Sequence, residues 1–149
     1  LASRIIPIYI DEMTKWPKQL IIDHFDKQLL FTHYHLNQGG WFLSIEKNPT
    51  WESLEQIYKE TEYKLVCFGH HHVVHHFITS ERAYFNPGAL GCYDKPYARY
   101  GIVTLAEKAI IEELIEVPYD NKDLLQSYHR MQVPEREFIL KIFHGGQLP

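Results

Sequence analysis

The chain has 149 residues, of which 45% are hydrophobic and 23% charged. This length and composition allow one domain with a buried core and exclude a disordered segment. Fifteen basic and nineteen acidic residues give a formal charge of −4, so the chain lacks the positive field of a general nucleic-acid binder.

The cysteines and the first residues of the chain indicate the cellular compartment. Cys67 and Cys92 lack the dense spacing of disulfide-stapled secreted domains, which indicates a reducing compartment and a cytoplasmic protein. The apolar opening segment is interrupted by Pro7 and then by an Asp-Glu pair, too early for a membrane span or a signal peptide. The chain begins with Leu1 rather than methionine, which indicates trimming or a fragment.

The first half of the chain predicts a helix, a hairpin and a second helix. Apolar positions at helical spacing over 5–16 indicate a helix that Pro17 stops. Two short apolar runs, 20–22 and 29–32, flank an Asp-Lys turn and predict a hairpin. An amphipathic segment over 51–63, with Thr50 as its N-cap, predicts the next helix.

The second half predicts a block of strands followed by helices. Helices are expected over 120–131 and 134–143. The chain is therefore expected to be one α/β domain with a mixed β-sheet and flanking helices, in which 1–117 is the sheet-rich part and 118–149 carries C-terminal helices. The predicted strands are 64–69, 73–79, 82–86, 98–105 and 110–117.

Histidine side chains follow two of the apolar runs. Three histidines, 70–72, come directly after the buried run 64–69, and His33 follows the earlier run. In an extended chain side chains alternate, so His70 and His72 are expected on one side and the histidine between them on the other. If the two runs are neighbouring strands, His33, His70 and His72 converge at one edge of the sheet, where ligand sites collect. Imidazoles there would bind zinc, manganese, iron or nickel.

The alternative interpretation of a histidine near a strand end is an ordinary hydrogen-bonded surface residue. We adopt it for His24, His129 and His144, which stand outside any repeated pattern. A GHxH segment at the end of a buried run, matched by FTH at the end of another, favours metal ligation instead. For His75 and His76 both interpretations stay open.

The segment NPGALG, residues 86–91, predicts a tight turn. Gly88 and Gly91 permit backbone conformations that a side chain would block. Such a turn can bring backbone amides and Asn86 close to an anionic ligand or a metal-bound group. An ordinary hairpin corner explains this segment equally well.

In this order, FTHYH, GHHH and NPGALG resemble the second half of the calcineurin-like metallophosphoesterase superfamily, whose later motifs read TH, GHxH and NPGS. The sequence looks most similar to the small bacterial and archaeal phosphodiesterase branch, which includes enzymes similar to asymmetric diadenosine tetraphosphate hydrolases. The resemblance covers 29–91 in motif order. It implies a layered α/β/β/α sandwich of which this chain is the C-terminal portion.

The resemblance also implies a ligand set and a reaction. His33 and His70 would bind the second metal of a two-metal site, and His72 would bind the first. The two divalent ions, manganese by preference or else iron, zinc or nickel, would make a bridging hydroxide that hydrolyses a phosphate ester. The substrate would be a small phosphate ester or a nucleotide.

Other residues take supporting roles in this interpretation. His35, His75 and Asn86 are candidates for holding the metal ligands in place, and Tyr34 and Arg99 are candidates for contacting the substrate. Two positions depart from the family pattern. Tyr34 stands where many relatives have a glycine, and the serine of NPGS is an alanine here.

The earlier motifs of the family have no counterpart in the 149 residues. These motifs are an Asp-x-His, a Gly-Asp and a Gly-Asn segment, and the Gly-Asp supplies the carboxylate that bridges the metals. The chain alone is therefore expected to be inactive. One alternative is a non-catalytic protein-interaction scaffold of the same fold, as in retromer-type relatives. Another is an unrelated histidine-rich protein that holds a single metal entirely within these residues.

Overall fold

The computed structural model of the chain describes residues 7–147. Its helices are α1 (Pro7–Met13), α2 (Trp51–Tyr58), α3 (Lys122–Arg130) and α4 (Arg136–Phe143), and its strands are β1 (Gln19–His24), β2 (Lys27–Thr32), β3 (Tyr63–Cys67), β4 (Val74–Ile78), β5 (Ala83–Pro87), β6 (Tyr97–Ala106) and β7 (Ala109–Pro118). Within this part of the chain, no helix has the length and apolar character needed to cross a membrane.

Five strands form a mixed sheet in the order β1-β2-β3-β5-β4. β1 and β2 are the antiparallel hairpin that the sequence predicts, β3 lies parallel to both β2 and β5, and β4 returns antiparallel to β5. β6 and β7 form a separate antiparallel ribbon, paired from Tyr97 opposite Pro118 to Ala106 opposite Ala109. The prediction of an α/β fold with a mixed sheet and flanking helices is confirmed.

One face of the sheet packs against α2. Leu54 and Tyr58 lie four positions apart, so both side chains project from the same side of the helix. Burial of these two apolar surfaces holds α2 on the sheet. The buried cluster is completed by Leu30, Tyr34, Val66, Phe68 and Tyr84.

The opposite face of the sheet packs against the β6–β7 ribbon. Gly101 lets the ribbon approach closely, because a Cβ atom at this position would overlap the ring of Phe85. The sheet contributes Leu29, Leu65, Ala83 and Phe85 to this contact, and the ribbon contributes the partly buried Val103, Leu105 and Ile110. The sheet therefore lies between a helical layer and a second β layer.

The parallel arrangement brings three strand ends to one edge of the sheet. β2, β3 and β5 run in the same direction, so the segments that follow them leave the sheet at the same edge. The Gly69 N–H donates to the His33 carbonyl at 3.0 Å and ties two of these segments together. The segments that carry His33 and His70 are therefore neighbours, which is the condition on which the predicted convergence of these histidines depends.

The helices are shorter than the sequence predicts. α1 ends at Met13 rather than at 16, and positions 5 and 6 of the predicted helix lie outside the described residues. α2 ends at Tyr58 rather than at 63, because the chain turns there and both the N–H and the hydroxyl of Thr61 donate to the Tyr58 carbonyl. α4 begins at Arg136 rather than at 134, because Glu135 has a left-handed backbone with a φ of 57°.

Replacement of Thr50 with alanine is expected to lower the free energy of unfolding by about 1 kcal/mol. The Thr50 hydroxyl accepts from the Ser53 N–H, and the Ser53 hydroxyl accepts from the Thr50 N–H, so this capping box satisfies two donors at the start of α2. Chemical denaturation measures the loss. Ser80→Ala, at an exposed hydroxyl outside the helices, is the control, and an equal loss in both variants would contradict the capping role.

Candidate metal centre

The histidine segment after β3 is a bend rather than a continued strand. β3 ends at Cys67, and both His70 and His72 have a left-handed backbone, with φ of 69° and 60°. The chain reverses here to enter β4, and the His71 N–H donates to the Gly69 carbonyl at 2.9 Å within the bend. The expectation of simple alternation over 70–72 is therefore wrong, since alternation holds only for an extended backbone.

His33 and His70 meet at the edge of the sheet. The Nε2 atom of His33 lies 2.9 Å from the Nδ1 atom of His70, and the ring centroids are 4.8 Å apart. Two nitrogen ligands of one ion, each about 2.0–2.1 Å from it, stand about 3 Å apart. The spacing of the two rings therefore fits a shared ion, and one neutral ring donates to the other when no ion lies between them.

The third predicted ligand, His72, is in the same bend, two residues after His70. Its pKa is lowered from the ordinary value by burial first, and then by the charge that His70, His33 and His71 carry when protonated. A lowered pKa keeps the imidazole neutral near pH 7, and the neutral ring is the form that binds a metal. Two of the predicted ligands are thus in contact, and the third follows two residues later in the same bend.

These histidines do not make a complete coordination shell. Within residues 7–147, no group of three or more His, Cys, Asp or Glu side chains is arranged to hold a metal ion. His33 and His70 present two nitrogen donors in contact, and imidazole suits zinc, iron, nickel and manganese. The chemistry of the donors therefore fits a divalent ion, while their number is below what such an ion needs.

The two histidines predicted to support the ligands have other partners. His35 is 3% exposed, its Nδ1 lies 2.9 Å from the Tyr58 hydroxyl, and burial first and then His75 lower its pKa to about 4. His75 pairs with His71, Nε2 to Nδ1 at 2.9 Å, and its ring stacks on Phe68. His35 is thus a neutral residue of the core, and His75 belongs to a second histidine pair. Their support of a metal site stays a prediction.

Asn86 connects the NPG turn to the histidine bend. Its side chain is fully buried; its Oδ1 accepts from the Gly88 N–H at 2.9 Å, and its Nδ2 donates to the Gly69 carbonyl at 3.4 Å. Gly88 has a φ of 91°, and a Cβ atom there would lie 2.9 Å from the Cζ atom of Arg99. The turn thus needs glycine both for its backbone and for the close approach of this side chain.

The two predicted substrate contacts are largely buried. The Tyr34 hydroxyl accepts from the Glu46 N–H at 2.9 Å, and its ring centroid is 5.4 Å from that of His70. Arg99 donates from Nη2 to the His72 carbonyl at 2.9 Å. Both side chains therefore adjoin the histidines, and their contact with a substrate stays a prediction.

Aromatic side chains outside the predicted site residues flank the histidines. The Phe42 ring lies 5.8 Å from that of His33, next to Trp41, which is 71% exposed. The Phe143 ring lies 6.1 Å from that of His72. The sequence does offer a signal for Trp41 and Phe42, because this aromatic pair follows two glycines. Phe143 lies in α4, and no local pattern connects it to the site.

Cys67 is expected to resist alkylation in the folded protein. Burial first, and then the nearby Glu112 carboxylate, raise the pKa of its thiol to about 12. The thiolate is the reactive form, so iodoacetamide at mildly alkaline pH should modify Cys67 only after unfolding. Mass spectrometry of the modified peptides measures both states, and equal rates before and after denaturation would contradict the expectation.

Solved structures share this fold at low sequence identity. The hypothetical protein PH1004 from Pyrococcus horikoshii OT3 has a TM-score of 0.69 and 18% identity, over 92% of this chain and 54% of that one. A metallophosphoesterase from Sphaerobacter thermophilus has a TM-score of 0.63 and 16% identity, over 89% and 60%. A single mutant of Vps29 from Entamoeba histolytica has a TM-score of 0.50 and 15% identity, over 74% and 65%. The chain thus spans about half the length of PH1004.

A family model gives the classification. No curated protein matches the chain. The model described as the calcineurin-like phosphoesterase superfamily domain matches residues 9–108, which is more than half of the chain and includes the three histidines and the NPG turn. At the level of the family, this domain is associated with metal-dependent hydrolysis of phosphate esters. The chain belongs to the calcineurin-like phosphoesterase superfamily.

Proposed function

We propose that the chain supplies His33, His70 and His72 to the metal centre of a phosphoesterase. His33 and His70 bind one divalent ion and His72 binds a second, with manganese as the favoured metal. The 2.9 Å contact between the first two imidazoles is the observation that carries this proposal. When bound, such ions polarise a phosphoryl oxygen and lower the pKa of a water molecule.

The nitrogens that the paired histidines offer to a metal follow from their contact. His33 approaches with Nε2 and His70 with Nδ1, so in the metal-bound state these two nitrogens would supply the lone pairs, whereas without an ion one of them carries the shared proton. With a metal bound, each ring must be neutral and hold its proton on the other nitrogen, Nδ1 of His33 and Nε2 of His70. The His72 ring, with its lowered pKa, is already in the neutral form near pH 7.

The remaining ligands of the two ions are proposed to come from outside residues 7–147. The donors in contact within this range are fewer than a metal ion needs, and the chain covers 54% of the length of PH1004. The 149 residues alone are therefore proposed to be inactive. Tyr34 and Arg99, which adjoin His70 and His72, are proposed to contact a small phosphate ester or a nucleotide.

The test uses the full-length protein. After treatment with EDTA, hydrolysis of p-nitrophenyl phosphate and of bis(p-nitrophenyl) phosphate should be lost, and manganese should restore it. The two esters also separate monoesterase from diesterase activity. Absence of hydrolysis with every divalent ion tried, or hydrolysis that EDTA leaves unchanged, would sink the proposal.

The second candidate function is a protein-interaction scaffold without catalysis. Apolar side chains that a partner could cover are exposed on α1, on β1 and between them, among them Ile8, Trp16 and Leu20. The similarity to Vps29 concerns the fold alone. If the full-length protein hydrolyses neither ester, with or without metal ions, and binds a partner tightly, the scaffold function is favoured over the enzyme.

A further inference from the structure

A cavity of about 380 Å³ lies beside His72, between the histidine bend, the segment after the NPG turn, and α4. Its lining includes His72, Tyr93, Arg99 and Phe143. Its volume falls within the range of small-molecule sites, about 300–1,000 Å³. His33 and His70 do not line it, so the cavity adjoins the histidine cluster at His72 only and lies to one side of the paired imidazoles.

The side chain of Arg99 is a buried cation in the wall of this cavity. The residue is 7% exposed, and its guanidinium lies 3.7 Å from the centroid of the Tyr93 ring. Nη2 donates to the His72 carbonyl, whereas the buried Nε has no hydrogen-bond partner. Among residues 7–147, no ion pair includes Arg99.

No carboxylate in the neighbourhood neutralises this charge at short range. Asp94 lines the same cavity, and Glu116 lies opposite Arg99 in the β6–β7 ladder, yet neither carboxylate is within 4.0 Å of the guanidinium. A buried charge without a partner is costly, and the aromatic ring of Tyr93 offsets only part of that cost. An anion in the cavity, which Arg99 lines, would supply the missing charge.

We propose that the cavity beside His72 is an anion subsite, which binds a second anionic group of the substrate through Arg99. The assignment to a substrate rests on the proposed phosphoesterase function, because that function places the reacting phosphoryl group at the three histidines. The shared chemistry is an oxyanion, from a phosphate or a carboxylate, whose oxygens accept from the guanidinium. The preferred substrate is then a phosphate ester that carries a further acidic group.

Binding is measured on the full-length protein in EDTA, so that the result does not depend on metals or on catalysis. Inorganic phosphate and acetate are titrated separately by calorimetry. Arg99→Gln is expected to weaken anion binding at least about tenfold, while Arg130→Gln, the same change at an exposed position of α3, leaves binding within about twofold. The two anions distinguish a phosphate from a carboxylate subsite. If neither phosphate nor acetate binds, or if Arg99→Gln and Arg130→Gln bind the anion equally well, the subsite is overturned.

Thermal stability distinguishes an anion-binding role of Arg99 from a purely structural one. If the charge is unpaired, Arg99→Gln without added anion should melt within about 2 °C of the wild type or above it, and phosphate should raise the Tm of the wild type only. A large fall in Tm with the phosphate effect retained would overturn the proposal. If the variant does not fold, the wild-type Nε–H resonance of Arg99 decides, because phosphate must shift it.

An activity comparison separates this proposal from the one on which it rests. With manganese, 2-phosphoglycerate should be hydrolysed at least about tenfold more efficiently than glycerol 2-phosphate, and Arg99→Gln should abolish that preference. If the subsite binds acetate, hydrolysis of both esters without preference would overturn its assignment to the substrate and leave the phosphoesterase standing. If neither ester is hydrolysed, the result counts against the phosphoesterase. The titration with phosphate in EDTA still tests the subsite separately.

Discussion

Replacement of His70 with alanine is expected to lower the manganese-dependent kcat/KM for p-nitrophenyl phosphate by at least about 100-fold. His70 contributes the nitrogen that lies 2.9 Å from His33 Nε2, so its loss leaves one imidazole where two are proposed to share an ion. The bound manganese per chain should fall in parallel. Kinetics and elemental analysis of the full-length protein measure the two effects.

The matched control is His24→Ala, because His24 is exposed at the end of β1 and contacts Phe25 rather than the other histidines. It should leave both the activity and the metal content unchanged. The double variant His33→Ala/His70→Ala should be no less active than the less active of the two single variants, because both residues are proposed to bind one ion. Full metal content and activity in His70→Ala would contradict the shared site.

Replacement of Leu54 with alanine is expected to lower the free energy of unfolding by about 3 kcal/mol. The side chain is fully buried between α2 and the sheet, in contact with the same cluster as Tyr58. Truncation removes apolar contacts and leaves a cavity that the rigid strands beneath cannot fill. Chemical denaturation followed by circular dichroism measures the loss.

Leu124→Ala is the control for this prediction, since Leu124 is 44% exposed on α3. Its expected loss is below about 1 kcal/mol, because little apolar area leaves contact and alanine favours the helix. A loss in Leu54→Ala no larger than in Leu124→Ala would show that α2 does not contribute to the core as described.

The meeting of His33 and His70 could be predicted from the sequence because it depends on simple rules. Each residue follows a short apolar run, and parallel neighbouring strands deliver their carboxyl ends to one edge. The hairpin of β1 and β2 and the long β6–β7 ribbon follow from turn residues and apolar patterning in the same way.

The parts that the sequence did not reveal depend on tertiary contacts. The left-handed backbone of His70 and His72 arises where the chain reverses from β3 into β4, which periodicity does not encode. The pairing of His71 with His75 follows from that reversal. Phe143 reaches His72 from a helix that begins more than sixty residues later in the chain, so its position depends on the complete fold.

The hydrogen bonds around the histidine bend bear on how the proposed metal site would assemble. The carbonyl of His33 accepts from Gly69, that of Gly69 from Asn86, and that of His72 from Arg99. These bonds fix the backbone that carries the proposed ligands before any ion binds, so metal binding at the proposed site would cost the chain little further conformational entropy. Substitutions that loosen these carbonyl contacts should weaken metal affinity even though they leave every donor nitrogen in the chain.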